Sequence, residues 1–174
     1  LHQIEGKFFG LDHDNYIGSL EQINKECGEW SEFYTNHRLL TLTAKARDQG
    51  LFEKKHCNWV EKLCQRLDEL IPACKPSLIH GDLWSGNLLI DTSGHPVLID
   101  PAVYYGHPEM DWAMLSLFGS YPVEALDHYQ DLHPLEKGLN KRIDIHQLYP
   151  LMVHLILFGK GYLNGVESTL KKYA

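Results

Sequence analysis

The stretch His80-Gly81-Asp82-Leu83-Trp84-Ser85-Gly86-Asn87 runs into two short apolar runs, Leu88-Leu89-Ile90 and Val97-Leu98-Ile99, and then into Asp100-Pro101-Ala102. Between the runs lies Asp91-Thr92-Ser93-Gly94-His95-Pro96, a polar, glycine-containing segment that predicts a β-hairpin. A hairpin brings its two ends together, so Asp82, Asn87 and Asp100 are expected to converge at one end of it. Hard oxygen donors such as Asn87 and Asp100 suit Mg²⁺, which is commonly held by one or two side chains plus substrate phosphates. Asp82, left off the metal, is then free to meet a substrate hydroxyl. Phosphoryl transfer needs this division: one carboxylate to accept or orient the attacking hydroxyl, and a separate pair to fix a metal on the phosphates.

On either side of the hairpin the pattern is helical. Phe52 to Leu70 spaces Cys57, Val60, Leu63, Cys64, Leu67 and Leu70 by threes and fours and stops before Pro72 and Pro76. From about Glu21 to Asp48, Ile23, Trp30, Phe33, Tyr34, Leu40 and Ala44 suit one or two amphipathic helices, with Gly50 where a helix C-terminus favours it. The opening through Ser19, centred on Asp14-Asn15-Tyr16-Ile17-Gly18, reads as a structured loop. Downstream helices are expected over Glu109 to Phe118, Val123 to Leu132 and about Asp144 to Leu163, with Pro150 at a kink or a helix start. Without repeats or linker-like tracts, the chain reads as a single α+β unit over residues 1–174, predominantly helical with a small β-hairpin.

Composition narrows the function classes. At 174 residues, 44% hydrophobic and 22% charged, the chain has the make-up of a globular protein with one core. A net charge of −7 argues against nucleic acid or an anionic membrane as a partner, since both select clustered Lys and Arg. The longest apolar run, around Leu155 to Phe158, is too short to span a bilayer. The first residue is Leu1, and no secretory signal pattern follows it. Cys27, Cys57, Cys64 and Cys74 show neither zinc nor CxxC spacing, so free thiols in a reducing, cytoplasmic setting are expected.

The His-Gly-Asp loop with Asn five residues after the Asp resembles that of protein-kinase-like small-molecule kinases. His80 to Asn87 followed by Ile99-Asp100-Pro101-Ala102-Val103-Tyr104-Tyr105-Gly106-His107 resembles the fructosamine kinase (ketosamine 3-kinase) family in particular. Asp14 to Gly18, Trp30 with Phe33, and Leu155 to Gly159 fit the same family, so the likeness covers most of the chain. It implies ATP and Mg²⁺ as cofactors and a ketoamine sugar on an amine or a glycated protein as substrate, with the 3-hydroxyl as acceptor. Carried over by position, Asp82 is the catalytic base, Asn87 and Asp100 are the Mg²⁺ ligands, and Leu89 and Ile99 form an apolar floor under adenine. His80 and Asp111 are expected to support the loop; Trp84 reads either as packing beneath the loop or as lining the sugar pocket, and Asn15 and Tyr16 either as a ligand contact or as a turn. Two departures stand out: Trp84 replaces the protein-kinase Lys, and the DFG-type triplet is Asp100-Pro101-Ala102. No glycine-rich loop or strand Lys with a helix Glu partner precedes Asp14. The resemblance therefore implies a C-terminal catalytic lobe of the protein-kinase-like fold, with the N-terminal nucleotide-binding lobe absent from this chain and little activity for the chain alone.

The same residues admit rival readings. Asp, Asn and Gly are ordinary turn residues, and a substrate-binding lobe without turnover is an alternative to an enzyme. Within the kinase-like group, an aminoglycoside or amino-alcohol acceptor shares the same loop. A dinuclear metallophosphatase fails because Leu88 follows Asn87 where His is wanted and no Asp-x-His lies upstream. The eleven histidines form no HxH or HExxH pair, so they read as scattered surface and core residues. Gly159-Lys160-Gly161 with Gly165 is set aside as a helix-end feature, because its glycine spacing misses the dinucleotide fingerprint.

Overall fold

A computed structural model describes residues 1–119 and 123–173. The first half runs β1 (Asn15–Ile17), β2 (Leu20–Gln22), α1 (Trp30–Tyr34), a π-helical turn (Thr35–Leu39), α2 (Leu40–Asp48), α3 (Lys54–Cys64) and α4 (Leu67–Leu70). Then come β3 (Ser77–Ile79), a 3₁₀ turn (Ser85–Asn87), β4 (Leu88–Ile90), β5 (Pro96–Leu98), β6 (Tyr104–Gly106), α5 (Glu109–Leu117) and α6 (Val123–Leu132). The chain ends in α7 (Leu139–Phe158), a 3₁₀ turn (Lys160–Tyr162) and α8 (Leu163–Tyr173). The described strands form three antiparallel pairs, β1 with β2, β3 with β6 and β4 with β5. The molecule is thus a mixed fold of helices and small sheets.

At the centre is α7, which packs against α5, α8 and α2. Ile145, Leu148, Tyr149, Met152, Val153, Leu155 and Ile156 are all buried, which makes this helix a core element from Ile145 to Ile156 while its first turn, with Asn140 and Lys141, faces solvent. Pro150 lies inside it and cannot donate to the carbonyl of His146. The hydroxyl of Tyr34 in α1 donates to the adjacent Ile145 carbonyl at 2.7 Å and reaches that of His146 at 3.5 Å, which partly compensates the missing bond. Pro150 is therefore accommodated in the helix interior rather than at its start.

Other expectations shift too. The segment expected as a loop through Ser19 contains β1, which pairs with β2 in the register Asn15 to Gln22 and Ile17 to Leu20. Three residues per strand are too few for alternation to reveal a hairpin in the sequence. Glu21 and Gln22 accordingly belong to a strand, and the helical stretch begins at Trp30. The long helix starts at Leu139, after Gly138 in the left-handed region (φ +90°), and ends at Phe158 before Gly159 (φ +88°), not at Leu163. The pairing of β3 with β6 had no clear sequence signal; it joins Ser77 to Gly106 and Ile79 to Tyr104 on either side of the loop and hairpin. The four cysteines are unpaired.

One fully buried cation anchors the hairpin side of the core. Arg38, on the π-helical turn, donates to the Ile23 and His37 carbonyls and to Asn24 Oδ1, all neutral oxygens. Its guanidinium lies 4.1 Å from the Tyr104 ring centroid, 4.5 Å from Phe33 and 5.3 Å from Tyr149, so aromatic faces supply the negative potential that a carboxylate would otherwise give. From this anchor a chain of amides reaches toward the hairpin ends: Asn24 Nδ2 donates to Asn15 Oδ1, Asn15 Nδ2 to the Val103 carbonyl, and Gln22 Nε2 to the Ala102 carbonyl.

Candidate active site

The loop from His80 to Asn87 is held by its own backbone and by α5. Asp111, buried in the first turn of α5, accepts the His80 N–H at 2.7 Å and the Gly81 N–H at 2.9 Å, one on each carboxylate oxygen. His2 Nε2 lies 2.9 Å from the same carboxylate, and His2 Nδ1 lies 2.6 Å from the Tyr129 hydroxyl. His80 Nε2 donates to the Ile99 carbonyl at 3.0 Å, which leaves Nδ1 to accept the Asp82 N–H at 3.3 Å. The Ala102 N–H donates to the His80 carbonyl, tying the residues after Asp100 to those before Asp82. Gly81 is required at this crossing: its φ is +81°, and a Cβ there would lie 2.1 Å from the Ala102 carbonyl oxygen.

Asp82, Asn87 and Asp100 come together as expected from the hairpin. Asn87 is buried, and its side-chain nitrogen donates to the Asp82 carbonyl at 2.9 Å, approaching the Asp82 carboxylate at 3.3 Å and the Asp100 carbonyl at 3.5 Å. All three residues line one cavity of about 240 Å³, together with Ile17, Gly18, Trp84, Met114, Pro150, Val153, His154, Leu157 and Phe158. Burial pushes the Asp82 carboxyl above the usual carboxylate range, and the Asp100 charge adds to the rise; His154, His80 and the Asn87 donor oppose it. Asp100 has φ +51°, a left-handed backbone that side chains other than glycine rarely adopt. Its carboxylate makes no hydrogen bond or ion pair with any described residue.

The donor set fits Mg²⁺. Asn87 turns its nitrogen toward Asp82, which leaves the amide oxygen free, and Asp100 offers an unpaired carboxylate.

Of the other expected residues, Trp84 lines the same cavity, whereas Asn15, Tyr16, Leu89 and Ile99 do not. Asn15 is used by Val103, Gln22 and Asn24, and Tyr16 is exposed; β1 and the turn after it instead contribute Ile17 and Gly18 to the cavity. Leu89 and Ile99 are exposed on the hairpin, away from the cavity lining. Trp84 is half exposed and folds over Gly86, where a Cβ would meet the indole at 2.3 Å. His154, which reads in the sequence as one of the scattered histidines, also lines the cavity. Its i−4 and i+4 neighbours on α7, Pro150 and Phe158, also line the cavity, a face that no local motif marks.

Over residues 1–174 the chain matches the family model described as "Fructosamine kinase". It belongs to the fructosamine kinase family. It is 44% identical over 175 residues to a "Probable ketoamine kinase" of Lactiplantibacillus plantarum, covering 99% of this chain and 62% of that protein. It is 37% identical to a "Protein-ribulosamine 3-kinase, chloroplastic" of Oryza sativa subsp. japonica, covering 96% of this chain and 49% of the relative. A crystal structure described as a "putative fructosamine-3-kinase" from Thermobifida fusca superposes with a TM-score of 0.92 at 40% identity, covering 98% of this chain and 59% of the other. The chain therefore spans about three-fifths of the length of these bacterial relatives. Among the described residues, no helix is long and apolar enough to cross a membrane.

Proposed function

We propose that the protein carrying this chain transfers the γ-phosphoryl group of ATP to a hydroxyl of a ketoamine sugar, with Asp82 as the base. The observation that carries this reading is the meeting of Asp82, Asn87 and Asp100 in one cavity, with Asn87 donating to Asp82 and leaving its oxygen for a cation. Asn87 and Asp100 would hold Mg²⁺, which neutralises phosphate charge when bound. Asp82 accepts the hydroxyl proton as the oxygen attacks phosphorus in line, and its raised affinity for protons suits it to that role. His80 and Asp111 keep the loop in register through their backbone hydrogen bonds. The relatives' names, ketoamine kinase and ribulosamine 3-kinase, support a ketoamine acceptor and the 3-hydroxyl as its reacting group.

In the same reading, residues 1–174 form the C-terminal catalytic lobe of a kinase-like fold. The outward apolar hairpin, including Leu89 and Ile99, would be the floor under adenine, with the phosphate-covering loop supplied from outside this segment. A substrate-binding piece without turnover of its own is the second reading.

The test is phosphorylation of a fructosamine and a ribulosamine, beside an aminoglycoside, by the full protein and by its Asp82→Asn variant. Ketoamine turnover that collapses in the variant supports the assignment. Unchanged turnover overturns Asp82 as base. The same assay on residues 1–174 alone separates the two readings of the chain.

A further inference from the structure

A second concavity of about 350 Å³ adjoins the catalytic cavity; among the described residues it is lined by Trp84, Phe118, His154, Phe158 and Tyr162, with no Asp, Glu, Lys or Arg. The five rings come from the catalytic loop, the end of α5, the end of α7 and the turn after it, and they make a continuous wall. Phe118 lies 4.8 Å from His154 between ring centroids, His154 5.4 Å from Phe158 and 5.1 Å from Tyr162, and Trp84 6.5 Å from Phe118. Trp84, Phe118 and Phe158 are 39%, 42% and 66% exposed, a clustering of large aromatics at the surface that folding alone does not explain. Trp84, His154 and Phe158 line both concavities, so a molecule with its reacting hydroxyl at Asp82 has a direct path onto the wall.

We propose that this wall is the subsite for the amine-bearing half of the ketoamine, holding its secondary ammonium and the adjoining alkyl stem against aromatic faces. The inference rests on the ketoamine reading above. A ketoamine joins a neutral polyhydroxylated sugar to a cationic nitrogen, and the two concavities divide in the same way: oxygen donors around Asp82, aromatic rings beyond Trp84. Ring faces carry partial negative charge and attract a cation while also accepting its alkyl chain. A carboxylate in the same place would hold the ammonium more tightly but reject the apolar stem.

The test compares two probes that differ at one atom: a 1-deoxy-1-(butylamino)fructose and the matching 1-O-butyl ether, which lacks the charge. Binding is read from tryptophan fluorescence without ATP, and turnover separately, both on the full protein. The wild-type protein is expected to bind the amine about five-fold more tightly than the ether. Phe158→Leu and Tyr162→Leu, which keep apolar bulk but remove a ring, should each lower that preference with little change in ether affinity. Melting curves verify that both variants fold. Equal binding of the two probes by the wild type, or an undiminished preference in both variants, overturns the subsite. A wild-type protein that prefers the amine but phosphorylates neither probe would leave the subsite standing and overturn the kinase reading instead.

Discussion

The side-chain nitrogen of Asn87 donates 2.9 Å to the carbonyl of Asp82 and lies 3.3 Å from its carboxylate, so the bond fixes which end of the amide faces which neighbour. Metal chemistry alone would accept an aspartate at 87, since a carboxylate is at least as good an Mg²⁺ ligand. The hydrogen bond argues otherwise: Asn87→Asp sets a carboxylate against two oxygens of Asp82. Turnover of the full protein should fall at least about 100-fold, with the Asp82 carboxyl pushed further up by the added like charge. Steady-state kinetics across pH check this, and wild-type turnover at neutral pH would refute it.

Asp82→Asn separates chemistry from folding. Because burial raises the Asp82 carboxyl in the folded protein, its ionised form opposes folding. The sign follows: stability from this group is fully present below the unfolded-state value and is lost as pH rises through the folded one. The neutral Asn variant should therefore melt at or above the wild-type temperature at pH 7 while turnover collapses. A variant that melts well below wild type would contradict this account.

Asp100→Gly should relax the backbone at φ +51° and raise stability by about 1 kcal/mol, the cost of a left-handed residue with a side chain. The same change removes a proposed metal ligand. Calorimetric titration of Mg²⁺ with ATP on the full protein should show weakened binding in a better-folded variant; wild-type affinity would count against the ligand role.

Glu109 and Arg142 carry stability rather than chemistry. Arg142 donates to both Glu109 oxygens from 33 residues away, and His146 Nε2 adds a contact at 3.1 Å. Burial alone would raise the Glu109 carboxyl, but the Arg142 fork and His146 outweigh it and hold the carboxyl down at about 2. This contribution is present above the unfolded carboxylate value of about 4.5 and is lost as pH falls toward about 2. Arg142→Ala leaves a buried charge unpaired and should cost about 3–5 kcal/mol in denaturant melts at pH 7. A loss below 1 kcal/mol would refute it.

Gln22 ties three elements together: it donates to Asn15 Oδ1 and the Ala102 carbonyl and accepts from the Tyr149 hydroxyl at 2.8 Å. Gln22→Leu strands these buried partners and should cost about 1–3 kcal/mol. It should also weaken Mg²⁺ binding in the full protein, because the segment after Asp100 loses a support. Metal titration of the folded variant checks the second effect.

The residues that converge on the cavity were legible because their chemistry is local. A single loop and a hairpin hold Asp82, Asn87 and Asp100 within nineteen positions, and two short apolar runs around a polar, glycine-containing segment expose the hairpin. His154 and Ile17 were not legible, because they reach the same cavity only through the packing of α7 and of a three-residue strand. Asn15 illustrates the converse. Its neighbourhood reads equally as a ligand contact or a turn, and its amide is held by a network whose other members lie up to 88 residues away. The early strand was hidden for a related reason, since β1 and β2 are too short for alternation and depend on Arg38 and Asn24 behind them.

The hairpin β4–β5 presents Leu88, Leu89, Ile90, Val97 and Leu98 with 37–65% of each residue exposed, on strands whose outer edges pair with no other named strand. In colloidal terms this ribbon is the adhesive region of residues 1–174 taken alone, and the net charge of −7 is a general repulsion set against it. Added salt would screen that repulsion while leaving the ribbon's attraction intact, so the chain's tendency to cluster should rise with ionic strength rather than fall.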